Sequence, residues 1–104
     1  MIEITQENLD KEIINSEEIV VVDFWAEWCV PCKQMTPIFE ELSKEMKKIK
    51  FVKIDVDSNQ DLAMKYNIMS VPTFMVLNKG NEVDRFSGSM PKDSFKKKIE
   101  EFLE

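Results

Sequence analysis

Seven consecutive residues, Ile19-Val20-Val21-Val22-Asp23-Phe24-Trp25, are apolar and mostly β-branched except for one aspartate, and this run limits the fold more than any other feature. Such side chains suit a pleated strand, and a strand apolar at successive positions needs cover on both faces. It predicts the central strand of a sheet with helices on either side, an α/β fold. The flanking patterns agree. A short strand at Ile2 to Ile4 leads to Thr5, a candidate N-cap, then to a helix with Leu9, Ile13 and Ile14 on one face, closed by Asn15-Ser16. Beyond the central strand, Met35, Ile38, Phe39, Leu42, Met46 and Ile49 recur at helical spacing, and Pro37 inside that helix is expected to bend it. Phe51 to Asp57 alternates from Val52 onward and reads as a second parallel strand, followed by a short helix through Leu62, Ala63 and Tyr66. Thr73 to Leu77 and Val83 to Phe86 flank Asn78-Lys79-Gly80-Asn81, whose turn residues suit an antiparallel hairpin. A last helix is expected to begin near Pro91, an acceptable first helical position. Phe95, Ile99, Phe102 and Leu103 mark its buried face and Lys96-Lys97-Lys98 a solvated one.

At 104 residues, one domain spanning 1–104 is expected, without linker or repeat. A chain of this size buries roughly two-thirds of the surface it exposes when unfolded, enough to fold without a metal or a disulfide framework. Acidic residues outnumber basic ones, 20 to 14, for a net charge of −6, and the basic ones are dispersed, which opposes nucleic-acid binding. No apolar run approaches the ~18 residues of a membrane span. The opening Met1-Ile2-Glu3-Ile4-Thr5-Gln6-Glu7 carries acid where a secretory signal carries positive charge, so the expected location is the cytoplasm. The absence of His removes imidazole as base, nucleophile or ligand, and with it Ser-His and Cys-His hydrolases. Cys29 and Cys32 are the only cysteines and lack the two further ligands that a tetrahedral zinc site requires. The seven Met residues read as core filler with no assigned function.

Trp28-Cys29-Val30-Pro31-Cys32 falls where the central strand ends and the long helix begins, the position at which open α/β sheets carry their working residues. Pro31 presets a helical φ, and Cys32, three residues after Cys29, lies on nearly the same face, so the two sulfurs can bond with little strain. Unpaired N–H groups and the dipole at the helix head favour a thiolate on Cys29, the expected nucleophile. Cys32, one turn inside, is expected to be less exposed and to resolve a mixed disulfide. Other readings of the pair stay open: half of a zinc or iron–sulfur site completed by a second chain, passive packing, or a binding module that uses the same face without turnover.

Asp23 interrupts the apolar run, so it lies either in the core beside a group that needs a carboxylate or at an exposed edge. In the core its pKa rises, and a carboxylate poised near neutral pH is the base that Cys32 needs. Lys53 sits on an alternating strand, and by its local pattern it can simply face solvent. Trp25 reads as a core aromatic, whereas Trp28 adjoins Cys29 at a loop and can shield the thiolate and flank a partner. By its local sequence alone Pro72 is an ordinary strand-start residue.

The stretch Val22-Asp23-Phe24-Trp25-Ala26-Glu27-Trp28-Cys29-Val30-Pro31-Cys32-Lys33, with Val71-Pro72-Thr73 and Gly88, resembles the thioredoxin family, and the likeness runs over essentially the whole chain through Pro37 and the Asn78-Lys79-Gly80 hairpin. The resemblance implies the thioredoxin fold, a central five-stranded mixed β-sheet flanked by four α-helices. It also implies general protein-disulfide reduction, with no cofactor or metal beyond a redox-active Cys29–Cys32 disulfide. It makes Asp23 the base, acting through water with Lys53 nearby. It makes the Val71–Pro72 bond cis, turning the Val71 backbone toward Cys29 to hold an extended substrate as an added strand. Val30, Pro31, Val71, Pro72 and Gly88 then form an apolar rim around Cys29, with Trp28 beside it. The implied partners are a thioredoxin reductase as electron donor and disulfide-containing proteins as substrates, the protein acting as a monomer. One departure falls inside the motif, where most members carry Gly and this chain carries Val30. Val keeps the backbone N–H and adds bulk without charge, so it is expected to tune the redox potential without producing an oxidant.

Overall fold

The apolar run Ile19–Trp25 is strand β2 if Ile2–Glu3 is counted as β1, and it is the middle strand of a five-stranded mixed sheet in the computed structural model, which describes residues 1–102. The further elements are α1 (Val30–Glu45), β3 (Ile49–Asp55), α2 (Gln60–Lys65), β4 (Thr73–Asn78), β5 (Asn81–Ser87) and α3 (Lys92–Glu100). The strand order is β1-β3-β2-β4-β5, with β1, β3 and β2 parallel and the β2–β4 and β4–β5 pairs antiparallel.

Because successive strand residues point to opposite faces, β2 feeds two cores. Val20, Val22 and Phe24 pack with Leu9, Ile13 and Leu62 on one side, and Val21 packs with Met35, Phe39 and Phe95 on the other. The second core is built largely of phenylalanine, with Phe74 edge-on to Phe95 at 4.7 Å between centroids. Each such side chain contributes about 1.5–3 kcal/mol by leaving water.

Thr5, the candidate N-cap, instead opens the turn that leads into the first helical segment, whose N-cap is Leu9. Thr5 Oγ1 accepts the Glu7 N–H at 3.2 Å while Asn8 Oδ1 accepts the Thr5 N–H at 2.8 Å, a reciprocal arrangement that uses up free donors. The segment then widens into a π-helical turn at Asp10–Ile14, where the Asn15 N–H reaches back to Asp10 O at 2.8 Å. The wider turn returns Ile14, five residues after Leu9, to the buried side beside Ile13. The fourth helix implied by the family likeness is thus a π-turn, alongside three α-helices.

Several boundaries differ from the sequence reading, among them β5, which runs from Asn81 to Ser87 and not from Val83 to Phe86. Ile49 belongs to β3 and not to the long helix: Met46 leaves helical geometry, a tight turn follows, and Ile49 pairs with Ile19. Its burial in the same core as Leu42 is what lets it imitate the helical period. β3 therefore starts at Ile49 and ends at Asp55, with only the Val56 N–H to Trp25 O bond (3.0 Å) prolonging the pairing. Pro91 is the N-cap of α3 and not its first helical residue, since its ψ of 151° is extended while its carbonyl accepts the Phe95 N–H. The α1 helix continues through Pro37 to Glu45. In α3, Phe95 and Ile99 are buried and Phe102 packs against them, whereas Leu103 lies outside the described residues. Lys96 pairs with Glu45, Lys98 lies over the Phe86 ring, and Lys97 is exposed, so the basic run is a helix surface.

The hairpin turns through Lys79 (φ 52°) and Gly80 (φ 82°), as a two-residue turn between right-twisted strands requires. A Cβ at Gly80 would meet the Ile14 carbonyl oxygen at 2.6 Å. Gly80→Ala should therefore destabilise the protein by about 1–3 kcal/mol, through clash and left-handed strain together. Urea unfolding measures this, and an unchanged midpoint would refute it.

Candidate active site

The chain leaves β2 at Trp25, passes buried Ala26, and turns so that the Cys29 N–H reaches Ala26 O at 3.2 Å. Cys29 is the N-cap of α1, with extended geometry (φ −89°, ψ 109°), and Pro31 sits in the first turn, where its missing N–H costs nothing. The Cys32 N–H donates to Cys29 Sγ at 3.1 Å, and no acidic residue occupies the first turn. The sulfur is therefore what meets the positive end of the helix. Cys29 and Cys32 are joined as a disulfide with Cα atoms 5.2 Å apart. Their exposures are 3% and 2%, so Cys32 is the lower by a margin too small to separate the two sulfurs. The asymmetry lies in the helix-end donor to Cys29.

Cys32, Met35, Phe39 and Leu42 form the buried stripe of α1, and the last three pack on the sheet face that carries Val21. Strand alternation puts Asp23 on that same face, and the parallel register Asp23↔Lys53 sets Lys53 beside it. Of the two positions open to Lys53, the register selects the one facing Asp23. Lys53 is half-buried, with Nζ 4.7 Å from the centre of the Trp25 ring. Asp23 is 1% exposed, and neither carboxylate oxygen has a hydrogen-bond partner among the described residues. Burial pushes its carboxyl up to about 7, against the opposing pull of Lys53. Trp25 is half-buried, and its Nε1 is enclosed without a partner among the described residues.

The Val71–Pro72 peptide is cis, and Val71 O lies 3.6 Å from Cys29 Sγ. Pro72 itself is buried, so it contributes the turn and not rim surface, because it leads directly into β4, whose first five residues are all buried. Its carbonyl accepts the Gly88 N–H at 3.0 Å, and the space in front of Gly88 is open. Trp28 and Val30 are 68% and 63% exposed, and Pro31 is exposed beside them. The Trp28 ring is anchored by its Nε1–H to Asp57 Oδ2 at 2.9 Å.

An open groove of about 390 Å³ extends from Trp28 and Val71 along α2, lined by Val56, Ala63, Met64, Ile68 and Met69 among others. The sequence reading missed this wall. Met64 lies two residues past buried Leu62, off the inward face of α2, and that helical offset is the signal that could have found it. Arg85 was missed as well. From β5 it donates to the carbonyls of Tyr66 (2.7 Å) and Asn67 (3.1 Å), tying down the end of α2 just before the groove-lining loop. Among the described residues no cluster of three or more His, Cys, Asp or Glu could hold a metal ion, and no helix is long and apolar enough to cross a membrane.

The thioredoxin family model matches residues 1–101. The thioredoxin of Bacillus subtilis (strain 168) is 48% identical over 89 residues, covering 85% of this chain and 86% of that protein. The thioredoxin of Rickettsia felis is 44% identical over 92 residues, 88% of each. A solved structure of Plasmodium falciparum thioredoxin superposes with a TM-score of 0.90 at 41% identity, covering 99% of this chain and 100% of that one.

Proposed function

The chain belongs to the thioredoxin family and reduces protein disulfides by exchange at Cys29 and Cys32, and from that premise we propose that Cys29 attacks, Cys32 resolves and Asp23 moves the proton between them. The observation that carries this division is the single backbone donor from α1, Cys32 N–H to Cys29 Sγ at 3.1 Å, which lowers the energy of a thiolate on Cys29 alone. In the dithiol form the Cys29 thiolate attacks one sulfur of a substrate disulfide, forming a mixed disulfide and releasing the other sulfur as a thiol. The Asp23 carboxylate, acting through water, takes the Cys32 proton. Cys32 then attacks Cys29 Sγ, the second substrate thiol leaves, and two electrons have passed to the substrate. A carboxyl with its pKa near 7 accepts and returns that proton at neutral pH, and Lys53 keeps it from rising further.

The substrate lies as an extended segment against the Val71 backbone and the apolar surface of Trp28, Val30 and Pro31, with Pro72 shaping the turn and Gly88 leaving room. Family membership implies a reductase as donor and disulfide-bearing proteins as acceptors in general. The donor assigned here is a thioredoxin reductase. The unit is one domain, 1–104, working as a monomer in the cytoplasm, with no cofactor but the cysteines and no nucleic-acid or membrane partner. The acidic balance and the apolar, uncharged rim support that assignment. Val30 tunes the potential without conferring oxidant character, since it adds no charge beside Cys29.

The test is the reduction of insulin by dithiothreitol. The protein should accelerate it well above dithiothreitol alone, and equal rates would leave only a binding module on this fold.

A further inference from the structure

Resting on that functional reading, we propose that Met64 and Met69 are a paired sulfoxidation site on the groove wall, through which a hydroperoxide weakens the hold on disulfide-bearing polypeptide. The chain buries Met35, Met46 and Met75 in its cores, and the Met35 sulfur already accepts the Met90 N–H at 3.3 Å. Met64 and Met69 break this pattern, at 78% and 93% exposure, and both line the groove that opens at Trp28 and Val71. Met69 is the more exposed of the two, on the loop held down by Arg85 at its far end.

The disulfide form makes the pair chemically prominent. It has no free thiol, and both cysteines are almost fully covered, so the sulfur a peroxide meets on this face is thioether. A thioether lone pair attacks one peroxide oxygen. The O–O bond breaks, an S–O bond forms, sulfur gives up two electrons, and the other oxygen leaves as water or alcohol after taking a proton. The product is a polar, chiral sulfoxide in a wall that Val56, Ala63 and Ile68 otherwise make apolar. A polypeptide docking there must strip water from a strong acceptor that the wall cannot pair. A chain that lingers oxidised under peroxide is thereby marked, and its affinity for further substrate falls.

The disulfide-form protein is exposed to hydrogen peroxide, freed of peroxide, mapped by peptide mass spectrometry, and assayed with insulin and dithiothreitol. Met64 and Met69 should oxidise well before Met35 and Met75, and KM for insulin should rise about tenfold, the cost of one unpaired buried acceptor. The Met64→Leu/Met69→Leu variant, compared with its own untreated rate, should show no such rise although it keeps exposed Met1. Sulfoxide spread evenly over the methionines, an unmoved KM in fully modified protein, or an equal loss in the double variant each overturns the proposal. Untreated protein without activity sinks the functional reading and this proposal with it, whereas active protein indifferent to sulfoxidation sinks this proposal alone.

Discussion

Replacing Cys32 with serine should leave a protein that captures disulfides and cannot let them go. The backbone N–H of residue 32 is untouched by the substitution, so the donor 3.1 Å from Cys29 Sγ remains and the nucleophile keeps its thiolate. What is lost is the second attack, because a serine hydroxyl at neutral pH is too weakly acidic to displace a sulfur. The mixed disulfide on Cys29 then accumulates, and turnover with insulin should drop by at least about 10³-fold, the scale on which losing one member of a concerted catalytic set is felt. Non-reducing electrophoresis after incubation with insulin should show the covalent complex with Cys32→Ser and none with Cys29→Ser. A complex formed by Cys29→Ser in its place would reverse the roles assigned to the two sulfurs.

Asp23 produces the second large effect, in stability as well as rate. Its carboxyl ionises near 7 in the folded chain against 3.8 for the unperturbed group. Between those values the folded state holds a proton that the unfolded chain has released. Stability therefore declines as pH rises from about 4 to about 7, and the penalty is absent below that window and complete above it. Its full size is about 4 kcal/mol on this shift. Asp23→Asn keeps the shape and abolishes the charge. The variant should match the wild type below about pH 4, exceed it by about 1–2 kcal/mol near pH 5 and by about 4 kcal/mol at pH 8, measured by urea unfolding at each pH. The same substitution removes the base for Cys32, so insulin turnover at neutral pH should fall about 100-fold. A wild type equally stable at pH 5 and pH 8 would show that the buried carboxyl carries no such penalty, and the assignment of Asp23 as base would lose its footing.

Much of this site was legible before any coordinates. The Ile19–Trp25 run is a strand because continuous β-branched side chains fit nothing else so short. The cysteine pair sits at a helix head because the apolar period changes from strand to helix beside it. Thr5, Pro37 and Lys79-Gly80 carry local signals that the structure turns into a side-chain-bonded turn, an in-helix proline and a hairpin turn. Lys53 was undetermined, since an alternating strand says which residues share a face and not which face that is. Its position came from pairing with β2. Ile49 was misread because two kinds of buried segment, joined by a tight turn, produced one apparent period.

The groove was legible only in small part. Trp28 and Val71 were singled out, yet the wall formed by Val56, Ala63, Met64, Ile68 and Met69 was not, because those residues come from a strand end, a short helix and a loop that meet only when the sheet is assembled. Methionine patterns as core material at every position, and the exposure of Met64 and Met69 is a property of packing. The same holds for Pro72, which is buried at the head of β4. By itself the amino-acid order determined the strand and helix alternation and the thiol pair at the opening of α1, since backbone propensity and side-chain period are local. Tertiary structure alone decided which carboxylate lost its water, which lysine stood beside it, and which sulfurs were left facing solvent, because desolvation depends on everything that packs around a group and not on its neighbours along the chain.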